Sequence, residues 1–163
     1  MKPAQASCVL LGFVLAQCSS APPPVPWDDQ ARKIVDSVHY ALAVYRDRFN
    51  AADRDSLMRF YVQDDKWPWA VDGRVGTPSS VMMRARLDRL AAYPEWHLWY
   101  TNLSVIAVAP GLASVTTDYR MTFGGTTAKT LIYDGALTMF WEHRPAGWKA
   151  VGGHSSSLPV VSR

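Results

Sequence analysis

Hydrophobic positions in the first half of the chain repeat at the spacing of an α-helix. From Trp27 onward, apolar side chains recur every three or four residues and form one stripe, which consists of Ile34, Val38, Leu42, Tyr45 and Phe49. Asp28 and Asp29 precede this stripe, and carboxylates favour a helix start because they cap its free amide groups. The pattern therefore predicts a first helix of about six turns with one buried side.

Two further helices are predicted by their capping residues. Asp53 suits the N-cap of a short second helix, whose apolar side consists of Leu57, Phe60 and Tyr61. Thr77 suits the N-cap of a third helix, because Pro78 then occupies the first turn, where proline is tolerated. The charged residues of this third helix are expected on its solvent-exposed side; they include Arg84, Arg86, Asp88 and Arg89.

Alternating residues predict a hairpin before the third helix and four long strands after it. Trp69 and Val71 alternate with Ala70 ahead of Asp72-Gly73, a dipeptide typical of hairpin turns. Beyond the third helix the hydrophobic repeat becomes two, which predicts strands over Trp96–Val108, Leu112–Phe123, Lys129–Glu142 and Trp148–Ser156. Because only short turns separate these strands, they are expected to be antiparallel neighbours. Helices followed by such a meander define an α+β fold with the helices on one face of the sheet.

The N-terminal segment has the composition of a bacterial export signal. Residues 1–20 begin with one lysine, continue as an apolar stretch and end in small residues. Leu15-Ala16-Gln17-Cys18 is similar to a lipobox, although Gln17 departs from the small residue that normally precedes the lipidated cysteine. We therefore expect lipidation at Cys18, with ordinary cleavage near Ser20 or Ala21 and an uncleaved anchor as the alternatives.

The expected signal sets the domain boundaries and the location. Residues 21–26 contain four prolines and are expected to form an extended tether. Residues 27–158 then form one domain, and residues 159–163 form a tail. A lipidated protein would be anchored in the periplasm of the cell envelope, and one cleaved without lipidation would be secreted.

Composition excludes several classes of protein. The formal net charge is +3, and the basic residues are interspersed with acidic ones, so no stripe for binding nucleic acid is present. Both cysteines, Cys8 and Cys18, precede the domain, which therefore has no disulfide and no thiolate metal site. The four histidines are far apart in sequence; they are His39, His97, His143 and His154. Since none has a second ligand at metal-binding spacing, we expect no metal and no other cofactor.

Two sets of short motifs lie within this order of elements. The first half contains Asn50-Ala51-Ala52-Asp53, Tyr61 followed by Asp64-Asp65, and Asp72-Gly73 with Gly76. The second half contains Gly135, Thr138, Trp141, Gly147-Trp148, Val151, His154 and Ser156. Together with the order of elements, these motifs resemble the nuclear-transport-factor-2-like (NTF2-like) superfamily, in its SnoaL-like or DUF4440-type branch. The resemblance covers the whole predicted domain, with one departure at Gly152, where many relatives carry a second histidine.

The resemblance implies a cone in which three N-terminal helices pack on a curved, mainly antiparallel sheet. It also implies a pocket between the first helix and the concave sheet face, and often a homodimer through the outer face. In such a cone we expect a pocket for a small molecule, lined by Tyr45, Trp67, Trp69, Tyr119, Arg120, Thr138, Trp141, His154 and Ser156. The relatives include isomerases, cyclases, hydrolases and assembly modules, so the fold by itself does not imply a reaction.

Tyr45, Asp118 and His154 are the candidates for catalysis. The position of Tyr45 matches the oxyanion-donating tyrosine of the steroid-isomerase relatives. The carboxylate base that such an isomerase needs is missing from residues 66–71. Asp118 alternates with Arg120 on one strand face, which is either part of a pocket or a solvent-exposed face with an ion pair. Alternating polar residues favour the exposed face.

The segment GWKAVGGHSSS, residues 147–157, places a histidine beside serines. Strict alternation assigns one strand face to Trp148, Ala150, Gly152, His154 and Ser156. His154 and Ser155 then point to opposite sides, so they are not expected to form a nucleophile–base pair. His154 is instead predicted to be a wall residue of the cone.

Three functions are compatible with these patterns. The expected function is binding of a small, partly apolar molecule in the cone, without a cofactor. The first alternative is an isomerase- or cyclase-type enzyme acting on a cyclic or carbonyl substrate, which needs ionisable groups that converge on one substrate atom. The second alternative is a non-catalytic assembly module of the envelope, for which a filled cone and an apolar outer face are expected.

Overall fold

The computed structural model describes residues 26–63, 68–76, 80–124 and 130–158. The expected signal with Cys18, the pocket residue Trp67 and the expected start of the third helix lie outside these ranges. The elements within them are α1 (Trp27–Asn50), α2 (Arg54–Met58), β1 (Trp69–Val71), β2 (Arg74–Gly76), α3 (Ser80–Leu90), β3 (Glu95–Ala109), β4 (Leu112–Gly124), β5 (Leu131–Arg144) and β6 (Gly147–Ser157).

Helix α1 buries the apolar stripe that its sequence predicts. Val38, Leu42 and Phe49 are fully buried, as expected from their spacing. The start of the helix differs from the prediction, because Pro26 occupies the N-cap position and no side chain caps the first turn. Asp28 and Asp29 lie within that turn, where a carboxylate stabilises the positive end of the helix dipole.

Helix α2 is shorter than predicted. Asp53 caps it, because the carboxylate accepts a hydrogen bond from the Ser56 amide at 3.0 Å. The helix ends at Met58, so Tyr61 lies in the segment that follows instead of on the helix. An isolated bridge pairs Tyr61 with Ala150 of β6 and fixes this segment beside the sheet.

Charged residues connect α2 to α3. Arg54 donates a hydrogen bond to Asp88 at 2.8 Å, and Arg84 donates to Asp55 at 2.6 Å. The sequence predicted these α3 residues on a solvent-exposed side, and the pairs are indeed accessible to water. Exposed pairs of this kind contribute little free energy, so they orient the two helices more than they stabilise them.

The six strands of the described chain form one sheet in the order β2-β1-β6-β5-β4-β3. The predicted antiparallel meander is confirmed, since β3, β4, β5 and β6 pair in chain order. Asp72 and Gly73 form the predicted turn of the β1–β2 hairpin, and both have positive φ (49° and 78°). On its other side, β1 pairs with β6 and runs parallel to it. The architecture is therefore α+β with helices and a single mixed sheet, as predicted.

The two faces of the sheet differ in burial. Along β4, alternate residues pack under the helices; they are Ala113, Val115, Thr117, Tyr119 and Phe123. The residues between them are largely open to solvent and include Thr116, Asp118 and Arg120. We call the helix-covered side the inner face and the opposite side the outer face.

Strand β6 contains a bulge that changes its alternation. Ala150 and Gly152 lie opposite consecutive residues of β5, so Val151 is an extra residue without a partner of its own. Trp148 and Ala150 consequently face inward, whereas His154 lies on the outer face. The prediction that these three residues share one face is therefore wrong.

Strand β3 contains a second bulge, at Asn102. Thr101 and Ser104 pair with β4 residues that are only two positions apart, so β3 holds one unmatched residue between them. Asn102 has a positive φ of 52°, and its side-chain amide donates a hydrogen bond to Asp118 at 2.6 Å. The bulge thus interrupts the regular pairing of β3, which also shifts register between Ala107 and Ala109.

Side-chain hydrogen bonds fix α1 on the inner face. Asn50 Oδ1 accepts a hydrogen bond from the Leu98 amide of β3 at 2.8 Å, which gives the first residue of the Asn50–Asp53 motif a structural role. Trp148 Nε1 of β6 donates to Ser37 Oγ at 3.0 Å.

Within the described part of the chain, no helix has the length and apolar character needed to cross a membrane.

Candidate functional site

Three tyrosine side chains from separate segments meet between α1 and the inner face. Tyr45 belongs to α1, Tyr61 follows α2, and Tyr100 belongs to β3. The hydroxyl oxygens of Tyr45 and Tyr61 are 2.7 Å apart, and their rings pack edge to face with centroids 6.2 Å apart. Tyr100 lies close enough to influence the ionisation of Tyr45. We call these three residues the tyrosine cluster.

Burial keeps the tyrosine cluster protonated. Tyr45 and Tyr100 retain some surface exposure, but protein atoms pack densely around their rings. Loss of water contact raises the pKa of Tyr45 well above its ordinary value, and the neighbouring phenols raise it further. Burial likewise raises the pKa of Tyr61 and of Tyr100, and the opposing influence of Arg86 on Tyr45 and Tyr61 is smaller. The three hydroxyls therefore remain hydrogen-bond donors at neutral pH.

Apolar side chains surround the tyrosine cluster. Among the described residues the interior contains two packed groups, and Tyr45, Met83 and Leu137 contact both of them. Phe60 packs edge to face on the Tyr45 ring, with centroids 5.4 Å apart. A few polar donors within apolar walls is the usual composition of a small-molecule site.

Trp141 adds an unused donor to the inner face. Its side chain is 1% exposed and packs in the same apolar group as Tyr61. Its Nε1 has no hydrogen-bond acceptor among the described residues. A buried N–H without an acceptor costs about 1–3 kcal/mol, so this position favours an additional polar group beside it.

Trp69 packs on the inner face against Gly153 of β6. Its Nε1 donates to Ser155 Oγ at 3.4 Å. A Cβ atom on Gly153 would lie 2.9 Å from the Trp69 ring and 2.5 Å from the Thr138 carbonyl oxygen. Position 153 therefore requires glycine, because a side chain there would overlap the Trp69 ring and the Thr138 carbonyl oxygen.

The structure divides the predicted pocket residues between the two faces. The inner face holds Tyr45, Trp69, Tyr119 and Trp141. The outer face holds Arg120, Thr138, His154 and Ser156. Trp67 lies outside the described residues. A pocket between the helices and the inner face therefore contacts the first set of residues and not the second.

The outer face carries charged and hydroxyl side chains in register. Arg120 and Asp134 lie directly opposite each other and form two parallel hydrogen bonds, with N–O distances of 2.6 and 2.7 Å. Hydrogen bonding to Arg120 lowers the pKa of the Asp134 carboxyl, and the same pair raises the pKa of Arg120. The hydroxyl oxygens of Thr116 and Thr138 are 3.3 Å apart, and His154 of β6 lies opposite Thr138. The solvent-exposed face that the alternation favours is present, but the carboxylate paired with Arg120 is Asp134, whereas Asp118 accepts a hydrogen bond from Asn102.

The three catalytic candidates are not brought together. Tyr45 lies inside, whereas Asp118 and His154 lie on the outer face. Ser155 faces inward, opposite to His154, so the prediction that these two do not form a nucleophile–base pair is confirmed. Within the described ranges, no three His, Cys, Asp or Glu side chains form a group that can hold a metal ion.

Exposed apolar side chains also occur on the outer face. Ile106 and Phe140 flank Ser114 from the two neighbouring strands, and Val108 follows Ile106 on the same side of β3. All three apolar side chains are exposed. We call Ile106, Val108 and Phe140 the outer apolar patch.

An open cleft of about 450 Å³ lies between the end of α2 and the β5–β6 turn. Its lining includes Met58, Arg59, Tyr61, Arg84, Arg144 and Lys149. The predicted pocket residues of the described chain do not line it. We call it the basic cleft, and Tyr61 belongs both to its lining and to the tyrosine cluster.

Tyr61 and Tyr100 were absent from the predicted site. Tyr100 follows Trp96 and Leu98 at a spacing of two, so alternation alone places it with these buried residues. The sequence places Tyr61 in a motif and on the apolar side of the predicted second helix, but its approach to Tyr45 depends on how α2 docks. The sequence therefore held a signal for Tyr100 but none for the contact that Tyr61 makes.

Solved structures define the class of fold. The chain is similar to a Novosphingobium aromaticivorans protein named for scytalone dehydratase, with a TM-score of 0.71, 12% identity and coverage of 83% of this chain and 93% of that one. It is similar to an NTF2-like protein from Streptomyces avermitilis named as a dehydratase, with a TM-score of 0.64, 19% identity and coverage of 79% and 99%. A Xanthomonas campestris protein named for the calcium/calmodulin-dependent protein kinase II association domain gives a TM-score of 0.62, 15% identity and coverage of 76% and 87%.

These similarities establish the fold and no more. No protein-family model matches the sequence, and no curated protein is significantly similar to it. The six-stranded sheet with its helices is an NTF2-like cone, as the sequence resemblance implied.

Proposed function

We propose that this chain is a SnoaL-like protein of the bacterial envelope that binds a small, partly apolar molecule beside the tyrosine cluster. The observation that carries this proposal is the 2.7 Å contact between the Tyr45 and Tyr61 hydroxyls. Either hydroxyl can donate in this contact, and the one that accepts keeps its own O–H for an oxygen of the ligand. A hydroxyl that already accepts a hydrogen bond is also a better donor.

The walls of the site select the rest of the ligand. Met83, Leu137 and Phe60 offer apolar surface around the phenols, and Trp141 Nε1 offers a second buried donor. A ring compound with one carbonyl oxygen matches this combination, since the ring is buried and the oxygen accepts from a phenol.

A matched pair of ring compounds tests the proposal. We expect 1-tetralone, a bicyclic ketone, to bind more tightly than tetralin, which has the same rings without the oxygen. Amide NMR titration should show shifts on the inner strands and on α1. Tyr45→Phe should weaken tetralone binding by about 0.5–1.5 kcal/mol and leave tetralin unchanged, because it removes one hydrogen bond.

Tyr40→Phe is the control, since Tyr40 lies on the exposed side of α1. It should leave both ligands unaffected. Equal affinities for tetralone and tetralin would contradict the role of the phenols, and shifts confined to the outer face would contradict the site.

An isomerase- or dehydratase-type enzyme is the second candidate, because two structural neighbours carry dehydratase names. A phenol pair can polarise a carbonyl oxygen, but removal of a proton from the adjacent carbon also needs a base. Asp118 and His154 lie on the other face of the sheet, so we rank binding before catalysis. Incubation with 3-hydroxy-1-tetralone tests this candidate, because loss of water yields fluorescent 1-naphthol. Turnover that Tyr45→Phe abolishes would place catalysis first.

We also propose that the chain forms a homodimer through the outer apolar patch. Ile106 and Phe140 are exposed in the same row of the sheet, and exposed apolar residues of this kind favour association. Size-exclusion chromatography with light scattering should give the mass of a dimer, and Ile106→Lys should give a monomer. Val75→Lys, at an exposed position of β2, is the control. A monomeric wild-type protein would leave the patch to a different partner, as in an assembly module.

The envelope location is proposed from the sequence alone. Cys18 and the signal lie outside the described residues. Metabolic labelling with a palmitate analogue should mark the wild-type protein but not the Cys18→Ser variant. Labelling that persists in Cys18→Ser would contradict lipidation at this cysteine, and an unlabelled protein in the medium would indicate ordinary cleavage and secretion.

A further inference from the structure

The basic cleft concentrates positive charge. Four of its lining side chains are cationic, and Asp55 is the one carboxylate among its described lining residues. Arg84 and Arg144 each form an ion pair with a carboxylate. Arg59 and Lys149 have no carboxylate partner within the described chain. The cleft therefore has an excess of positive charge that its own side chains do not neutralise.

Lys149 lies near two of the other cations, Arg59 and Arg144. Its ammonium group donates to the Arg59 carbonyl oxygen, so the amine is tied to the end of α2. Partial burial lowers the pKa of Lys149, and the neighbouring Arg144 and Arg59 guanidinium groups lower it further. Cations held this close repel one another, and a bound anion removes that repulsion.

The remaining lining has the character of a small-molecule site. Met58, Val62 and Ala146 offer apolar surface beside the cations. The Gln63 side-chain amide donates to the Met58 and Tyr61 carbonyl oxygens at 2.8 and 3.0 Å, which orders the segment after α2. A cleft of about 450 Å³ lies within the usual range of ligand pockets.

We propose that the basic cleft binds the phosphate group of a small organic molecule, with Arg59, Arg144 and Lys149 as the phosphate-binding residues. A phosphate monoester carries up to two negative charges, which match the excess of cations better than one carboxylate does. Guanidinium groups donate two parallel hydrogen bonds to such an oxyanion. The apolar lining then contacts the organic part of the ligand. This site is separate from the ketone-binding role proposed above, although Tyr61 lines both.

Phenyl phosphate is the probe for this proposal. In calorimetric titrations at constant ionic strength, we expect saturable binding that is tighter than binding of benzoate and of inorganic phosphate. Lys149→Met and Arg59→Gln should each weaken phenyl phosphate at least tenfold, because each removes a charged hydrogen-bond donor. Lys149→Arg retains the charge and should retain most of the affinity.

Arg32→Gln is the matched control, since Arg32 is an exposed arginine on α1 that is paired with Asp29. It should bind phenyl phosphate like the wild type. An equal loss in Arg32→Gln, or equal affinities for phenyl phosphate and benzoate, would overturn the proposal. Urea denaturation of each variant shows whether a loss of binding reflects unfolding.

Two further measurements identify the source of the phosphate. Phenyl phosphate should raise the pKa of Lys149, followed by NMR of its ε-carbon, because an anion beside an ammonium group stabilises the charged form. Sedimentation with phosphatidylcholine vesicles, with and without phosphatidic acid, tests a lipid headgroup. Lys149-dependent sedimentation with phosphatidic acid would assign the cleft to a headgroup, whereas binding of phenyl phosphate alone would assign it to a free phosphate compound. Failure of both would reject the cleft as a phosphate site without affecting the tyrosine cluster.

Discussion

The inner and outer faces of the same strands carry opposite kinds of chemistry. The inner face presents large buried rings and phenols whose hydroxyls stay protonated. The outer face presents the Arg120–Asp134 ion pair, exposed His154 and the outer apolar patch. Alternation along each strand therefore builds two surfaces. The inner surface offers neutral hydrogen-bond donors to a ligand. The outer surface offers charged and apolar side chains to solvent or to another molecule.

The difference between the faces teaches where a reaction could be supported. General acid–base chemistry needs ionisable side chains beside the reacting atoms, and the candidates Asp118 and His154 lie on the outer face. The phenols of the inner face supply directional hydrogen bonds without a change of charge. The inner face is thus better suited to holding a ligand than to moving its protons.

The largest expected difference between the faces comes from deleting one ring on each. Phe123 is 1% exposed on the inner face, and Phe140 is 44% exposed on the outer face. Phe123→Ala should lower the free energy of unfolding by about 3–5 kcal/mol, because it opens a cavity. Phe140→Ala should change it by about 0.5 kcal/mol or less in the isolated subunit. Urea denaturation measures both, and equal losses would contradict the division into two faces.

A smaller effect is expected where an added methyl group meets the inner face. Gly153→Ala should destabilise by about 1–3 kcal/mol, because the new Cβ would overlap the Thr138 carbonyl oxygen and the Trp69 ring. Gly76→Ala is the control, since a Cβ there meets no atom within 4 Å. Thermal unfolding of the two variants compares them directly. A neutral Gly153→Ala would show that β1 does not pack on β6 as described.

High pH should affect the inner face. The folded-state pKa values of the tyrosine cluster are raised, so their contribution to stability is complete below about pH 10 and is lost as the pH rises beyond it. Denaturation midpoints should fall between pH 9 and pH 11 by these rough limits, and less steeply in Tyr45→Phe than in the wild type. Tyr40→Phe, on the exposed side of α1, should keep the wild-type slope. Identical slopes for all three proteins would contradict burial of the phenols.

Low pH should produce the smallest effect, on the outer face. The pKa of Asp134 is lowered by Arg120, so the pair stabilises the fold above about pH 4 and this contribution is lost as the pH falls. Asp134→Asn should therefore be slightly less stable than the wild type at pH 7, and the difference should vanish in acid and in high salt. Denaturation at three pH values measures it. A difference that persists in acid would indicate a role other than the ion pair.

Local signals explain what the sequence predicted correctly. The stripe of α1, the Asp53 cap and the Asp72-Gly73 turn depend only on neighbouring residues, so the order of helices and strands followed from them. The α+β architecture then followed from short turns between long strands. Each of these features is specified within a few positions of the chain.

Non-local contacts explain what the sequence did not predict. The parallel pairing of β1 with β6 joins segments about 80 residues apart, and nothing in either segment specifies the other. The extra residue Val151 has no distinctive composition, yet it reverses the face of Trp148 relative to His154. For the site, Tyr45 was recognised through its motif, whereas its contact with Tyr61 depends on docking of α2. The sequence therefore identifies some residues of the inner face, such as Tyr45, but not the contacts that form the tyrosine cluster.

The bulge at Asn102 has a consequence for the behaviour of the protein at high concentration. β3 is the outermost long strand, and a long, regular, unpaired edge is a template on which a second chain can extend a sheet. Asn102 interrupts that edge with a left-handed residue and directs its side chain into a bond with Asp118. A β-branched residue at this position would favour straight backbone and would lengthen the edge open to another chain. The break at Asn102 thus shortens the regular edge that β3 presents to a second chain.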